Sequence, residues 1–320
     1  MMFRAAFAAL LSLAAVPAAS DVVLGMPVDC VPGDSCHIQH LQDHDPGPGV
    51  QDFLCGGLSY DGHKGTDFAL PTLVDQQRGV DVLAAAPGVV AGVRDGMPDR
   101  VHTPDMAAAI EGRECGNGVV IRHEDGWETQ YCHMRMGSVT VQQGDRVDTG
   151  DVLGQIGLSG LSQFPHLHLS VRKDGDPVDP FLPSADSCGT TGPDLWAETP
   201  LVTPGGLIDA GFAPGVPEYD AIKAGTANHP ALPDTAPGLV LFGFAYGSRA
   251  GDVLRLEITG PDGEFLTQDV ELTKPQAQLF RAAGRRLTGD AWPHGTYTGT
   301  VTLLRDGAPL AQKTVTSEIN

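Results

Sequence analysis

Between residues 63 and 183 apolar residues fall in short runs broken by turn signals, and within the runs they tend to alternate with polar ones. Short runs punctuated in this way predict an antiparallel β domain rather than βαβ units. Strands are expected over 82–93, 119–123, 127–134 and 167–172, with Glu124, Asp125 and Gly126 as a tight hairpin loop. The polar stretch between Val93 and Cys115 carries Pro98 and Pro104 and reads as a surface insertion with a short helix over 105–112. The strand pattern returns over 239–246, 252–259, 264–272, 295–304 and 309–317, with turns at Pro261-Asp262-Gly263 and Asp306-Gly307. The expected fold class is therefore all-β, an antiparallel domain over 63–183 followed by a small immunoglobulin-like β-sandwich over 238–320.

Three segments lack this pattern. Residues 1–20 place Arg4 before an apolar run and the small residues Ala18, Ala19 and Ser20, which reads as an export signal with the mature chain starting near Asp21. Residues 21–62 are rich in Cys, Pro, Gly and Asp and are expected to form a leader packed on the domain that follows. In 184–237 Pro and Gly dominate without a period, as in a linker. The apolar run near the N-terminus is short for a bilayer span and no Cys follows it, so no stable membrane anchor is expected.

Composition narrows the function. Acidic residues outnumber basic ones 40 to 20, a formal charge of −20, which disfavours nucleic acid because phosphate binding needs Lys and Arg. Export changes how Cys30, Cys36, Cys55, Cys115, Cys132 and Cys188 are read: in an oxidising compartment an even count predicts disulfides, and no Cys-x-x-Cys pair suggests a structural zinc cluster. Cys115 with Cys132 is the one pairing expected; the others stay open.

Candidate chemistry sits in three places, namely His63-Lys64-Gly65-Thr66-Asp67, Tyr131-Cys132-His133 and His166-Leu167-His168. On a strand, residues two apart share a face, so His166 and His168 can reach one site, one free to bind metal and the other to do acid–base work. Imidazole and carboxylate are zinc ligands, and a catalytic zinc uses three protein ligands with a fourth position open. The helical His-Glu-x-x-His signature is absent, and Gly65 before the run Phe68, Ala69, Leu70 argues for a loop entering a strand.

The ordered series of motifs resembles the lysostaphin/LytM family of zinc metallo-endopeptidases. It comprises His63-x-Gly65-x-Asp67, Ala85-Ala86-x-Gly88-Val89-Val90, Gly116-Asn117-Gly118 and Tyr131-Cys132-His133-Met134. It then continues with Gly144-Asp145-x-Val147, Gly150, Pro165-His166-Leu167-His168-Leu169 and Val178-Asp179-Pro180. The resemblance implies a single Zn2+ per chain on His63, Asp67 and His168, with His133 and His166 as the catalytic pair. It also implies hydrolysis of peptide cross-links in bacterial peptidoglycan by a periplasmic or secreted monomer, with a regulatory protein partner left open. The alternatives are a non-catalytic wall-binding or amidase-activating module, and a secreted protease acting on glycine-rich proteins. The insertion, the Cys-rich leader, Cys132 and the C-terminal domain depart from the family pattern. His37, His40 and His44 of the leader are expected to be solvated loop residues, with a second metal site or an inhibitory ligand as the sharper reading. The aromatics Phe242, Phe244, Tyr246, Trp292 and Tyr297 are expected to be core rather than a sugar platform.

Overall fold

The computed structural model describes residues 21–183, 188–190 and 192–320; the expected export signal lies outside them. The regular structure of the protein is mostly antiparallel β. Its larger sheet runs in the order His37–His40, Thr66–Ala69, His166–Lys173, Trp127–Met134, Asn117–Arg122, Gly88–Arg94, Arg146–Val147, with Asp176–Val178 pairing to His166–Lys173. Leu167, Leu169 and Val171 alternate inward to a core shared with Phe68, Ile121 and Tyr131, which turns His166, His168 and Ser170 to the opposite face.

The run expected as one strand over 82–93 divides in two. Asp81–Leu83 pairs with Val152–Gln155 in a separate two-stranded sheet, and Gly88–Arg94 joins the larger one. Pro87 sits at the break, and Gly88 is needed just after it, since a Cβ there would lie 2.4 Å from the Arg122 carbonyl oxygen. The insertion holds only one short α-helix, Ala107–Ile110. The Asn117 side chain anchors the insertion: its Oδ1 accepts from the Gly96 and Met97 amides and its Nδ2 donates to the Met97 carbonyl.

Two expectations are corrected. The segment 184–237 contains the strand Gly206–Ala213, the helix Tyr219–Ala224 and the short strand Ala231–Leu232, so the C-terminal sheets begin well before residue 238. Its Pro and Gly residues punctuate these elements instead of forming a continuous linker. A further strand, Gln276–Arg286, was not anticipated, because its sequence QAQLFRAAGRR is too polar to alternate visibly. The C-terminal unit packs a three-stranded sheet (Gly206–Ala213, Gly238–Ser248, Gln276–Arg286) on a five-stranded one.

The strand Gly238–Ser248 is buried on both faces. Leu239, Leu241 and Ala245 enter the core between the two C-terminal sheets together with Tyr297 and Trp292, whereas Phe242, Phe244 and Tyr246 belong to the core of the larger N-terminal sheet. The aromatics are thus core residues, three of them cementing the two units into one body. Three disulfides, Cys30–Cys36, Cys55–Cys188 and Cys115–Cys132, account for every cysteine. Cys55–Cys188 ties the leader to the end of the first β domain.

Candidate metal centre and its surroundings

The pairing register of the sheet assembles the site. Asp67 lies directly opposite His168, His168 opposite Cys132, and Ala69 opposite His166. Directly paired residues project to the same side of a sheet, so the two expected ligands Asp67 and His168 share a face. His63 reaches them from the loop before Thr66–Ala69. Gly65 keeps that loop close: a Cβ there would fall 2.5 Å from the Leu169 carbonyl oxygen and 2.7 Å from His168 Nε2.

Three side-chain atoms converge. His63 Nε2 lies 3.2 Å from Asp67 Oδ1 and 3.1 Å from His168 Nδ1, and His168 Nδ1 lies 2.8 Å from the same oxygen. Bonds of 2.0–2.1 Å in a tetrahedral zinc centre put ligand atoms roughly 3.3 Å apart, so this set could hold such an ion with little movement.

The hydrogen bonds behind the ligands choose the tautomers. His63 Nδ1–H donates to the Leu41 carbonyl at 2.7 Å, which leaves Nε2 with a lone pair facing the centre. On His168, Nε2–H donates to Ser170 Oγ at 2.9 Å and the Ser170 hydroxyl in turn donates to the Lys64 carbonyl at 3.1 Å, so Nδ1 carries the inward lone pair. Two nitrogen lone pairs and a carboxylate oxygen at this spacing repel one another unless a cation or a proton sits among them. Without a metal a proton on His63 is favoured: burial lowers its pKa, but the charge and hydrogen bond of Asp67, together with the Leu41 carbonyl and Asp43, more than offset that and raise it. Burial would likewise raise the Asp67 carboxyl, yet the surrounding histidines hold it well below the usual carboxylate range. The donor set therefore fits a divalent cation in place of that proton.

The other two expected residues stand beside this centre. His133 and His166 rings are 4.6 Å apart, and His133 is 6.0 Å from His168. His133 Nδ1–H donates to the Ser159 carbonyl at 2.8 Å, and His166 Nδ1–H to the Phe164 carbonyl at 2.9 Å, so each presents Nε2. Burial lowers the pKa of His166 to about 4 and that of His133 well below its usual value, so both are neutral near pH 7. His133 adopts a left-handed backbone, φ 63°, at a point pinned by the neighbouring disulfide and by its own amide donating to the Cys115 carbonyl at 2.8 Å.

The leader histidines are not solvated, which corrects the loop reading. His37 and His40 are buried in the strand His37–His40, His37 against the Tyr246 ring and His40 against Asp67, while His44 meets Asp179 at 2.7 Å. Sequence reasoning also missed Phe164, whose ring stacks on His166 at 4.4 Å. Phe164 further lines a cavity of about 390 Å³ with Val101 and Thr103 of the insertion and Asp220 and Phe244 of the C-terminal unit. The alternation in His37-Ile38-Gln39-His40 was the signal available for the leader strand, but four residues are too few to register as a period.

The sequence model of peptidase family M23 matches residues 61–180. Among curated relatives, the DD-carboxypeptidase/endopeptidase Mpg of Neisseria meningitidis is 35% identical over 120 residues, 37% of this chain and 22% of that protein. The peptidoglycan DD-endopeptidase ShyA of Vibrio cholerae is 31% identical over 128 residues, 39% of this chain and 24% of that one. The chain thus spans about a fifth to a quarter of the length of these relatives. Among solved structures, the catalytic domain of the prophage-encoded M23 protein EnpA from Enterococcus faecalis (an A109H mutant) is 26% identical, covering 46% of this chain and 91% of that one, with a TM-score of 0.32. The family match contains each of His63, Asp67, His133, His166 and His168, and the chain accordingly carries a domain of peptidase family M23.

Proposed function

We propose that the protein is an exported zinc metallo-endopeptidase that hydrolyses peptide cross-links of bacterial peptidoglycan, with one zinc ion held by His63, Asp67 and His168. The observation that carries this reading is the convergence of three side-chain atoms 2.8 to 3.2 Å apart, on side chains that each make a further hydrogen bond, to the Leu41 carbonyl, His40 and Ser170. When bound, zinc supplies Lewis acidity toward the scissile carbonyl and an acidified water as nucleophile. His133 and His166 move the protons: each offers a neutral Nε2 as acceptor, and once protonated each can donate to the oxyanion or to the departing amine. Their Nδ1–H bonds to backbone carbonyls keep the rings aimed while this happens.

The names of the two relatives favour a DD-endopeptidase, which in a wall built on meso-diaminopimelate means the D-alanyl to diaminopimelate bond. Three disulfides support an oxidising, extracytoplasmic location. Among the described residues no helix is long and apolar enough to cross a membrane. The sharing of Phe164 between His166 and the neighbouring cavity supports a part for the insertion and the C-terminal unit in substrate choice.

The test is digestion of purified sacculi by the mature protein, with His168→Ala as control, metal analysis of both, and mass analysis of the released muropeptides. Loss of cross-linked dimers with wild type alone, at about one zinc per chain, is expected. A fully active zinc-free protein would overturn the metal assignment. No release by zinc-loaded wild type would favour a binding module, and cleavage of a glycine-rich protein but not of sacculi would favour a secreted protease.

A further inference from the structure

We infer that the leader is a working part of the metal centre and that His40 is a positioning residue for the ligand Asp67. This rests on the proposed zinc site. Of the two Asp67 oxygens, Oδ1 is the one surrounded by His63, His168 and His166, at 3.2, 2.8 and 3.6 Å. Oδ2 instead accepts a hydrogen bond from His40 Nδ1–H at 3.1 Å. A carboxylate free to rotate can close on a metal with both oxygens and fill the position a catalytic site keeps open. With Oδ2 engaged by His40, Oδ1 is the oxygen left to the His63 and His168 nitrogens.

The next residue acts on a second ligand, because the carbonyl of Leu41 is the acceptor that sets the tautomer of His63. Two consecutive leader residues thus orient two of the three ligands. Neither belongs to the segment matched by the family model, which starts at residue 61.

The leader strand is built to hold this position. His40 is paired opposite Asp67 in the sheet and is 8% exposed, with Tyr60, His63 and Phe164 rings 5.2, 5.9 and 6.0 Å away. Its neighbour Gln39 is fully buried and grips the C-terminal unit: Nε2 donates to the Ala277 carbonyl at 2.8 Å, and Oε1 accepts from Gln278 Nε2 at 3.1 Å. His37 lies against Tyr246 at 4.3 Å. The strand therefore presents one edge to Asp67 and is braced from the other side by the C-terminal sheet. This arrangement makes His40 a support for the site and not an occupant of its open position.

The test compares zinc affinity of the full-length mature protein, by chelator competition, in wild type, His40→Ala, His40→Asn and His40→Gln. Removal of a hydrogen bond behind a metal ligand costs about 10–100-fold in affinity, and that loss is expected for His40→Ala. An Asn amide places N–H near the His Nδ1 position and should restore most of the affinity. Gln, which places its amide near Nε2, should not. Cobalt(II) substitution gives a second readout: strong visible absorption of a four-coordinate ion in wild type and His40→Asn, weakened in His40→Ala as Asp67 closes on the metal. Zinc affinity and cobalt spectrum unchanged in His40→Ala would overturn the inference, and so would tighter zinc binding with faster turnover, the mark of an inhibitory ligand. Wild type that binds no zinc would overturn the metal reading itself and this one with it; wild-type binding with His40→Ala unaffected overturns only the positioning role.

Discussion

Removing the disulfide next to His133 with the double substitution Cys115→Ala, Cys132→Ala should lower both stability and turnover, for separable reasons. The cross-link joins residues 17 apart in sequence. On the chain-entropy account, closing a loop of that size in the unfolded state is worth about 3 kcal/mol. The adjacent strands Asn117–Arg122 and Trp127–Met134 remain hydrogen bonded without it, so the fold should survive. Unfolding in urea, with a slope of about 3 kcal/mol/M, would then shift its midpoint by about 1 M. Turnover should fall because His133 occupies a left-handed conformation, which costs on the order of 1–3 kcal/mol and persists only where its surroundings over-determine it. With the disulfide gone, the hydrogen bonds of its amide to the Cys115 carbonyl, of its Nδ1–H to the Ser159 carbonyl and of the Gly157 amide to the His133 carbonyl must hold it without the covalent restraint. Relaxation worth about 1.4 kcal/mol would lower kcat tenfold while leaving KM nearly unchanged. A double variant with the wild-type urea midpoint would refute the entropic account. One with reduced stability but full kcat would refute the claim that the cross-link holds His133.

Three further outcomes are expected. Gly65→Ala should lose zinc binding by competition assay while retaining its β circular dichroism, since the added Cβ meets the Leu169 carbonyl and His168 Nε2, and an unchanged affinity would show that the loop can give way. Burial lowers the His37 pKa to about 4 against 6.5 unfolded, so its contribution is complete above pH 6.5 and declines as pH falls toward 4. That contribution is on the order of 3 kcal/mol, and His37→Gln should flatten urea stability between pH 7.5 and pH 4.5; equal slopes in both proteins would refute it. Phe244→Ala, which empties a fully buried position between the two units, should cost about 3–5 kcal/mol and split the unfolding transition in two, whereas a single transition with a small shift would mean the units are not cemented there.

The three segments that converge on the candidate site were legible as local motifs, while the division of their residues into ligands and a catalytic pair came only from the family resemblance. Alternation in His166-Leu167-His168 puts both imidazoles on one face, and Gly65 before Phe68, Ala69 and Leu70 marks a loop entering a strand. The all-β class and most strands followed from short apolar runs broken by turn residues, which are likewise local features. The limits of the C-terminal unit were not legible: Gly206–Ala213 hides in a Pro- and Gly-rich stretch, and Gln276–Arg286 is too polar to alternate. What neighbours do across long sequence separations lay beyond any local pattern. His40 reaches Asp67 only because strand His37–His40 pairs beside Thr66–Ala69, and Phe242, Phe244 and Tyr246 face another domain's core only because their strand is covered on both sides. Residue identity and period determine which atoms a strand offers to each face; which strand or sheet those atoms meet is decided by pairing register and packing, and these exist only once the chain has folded.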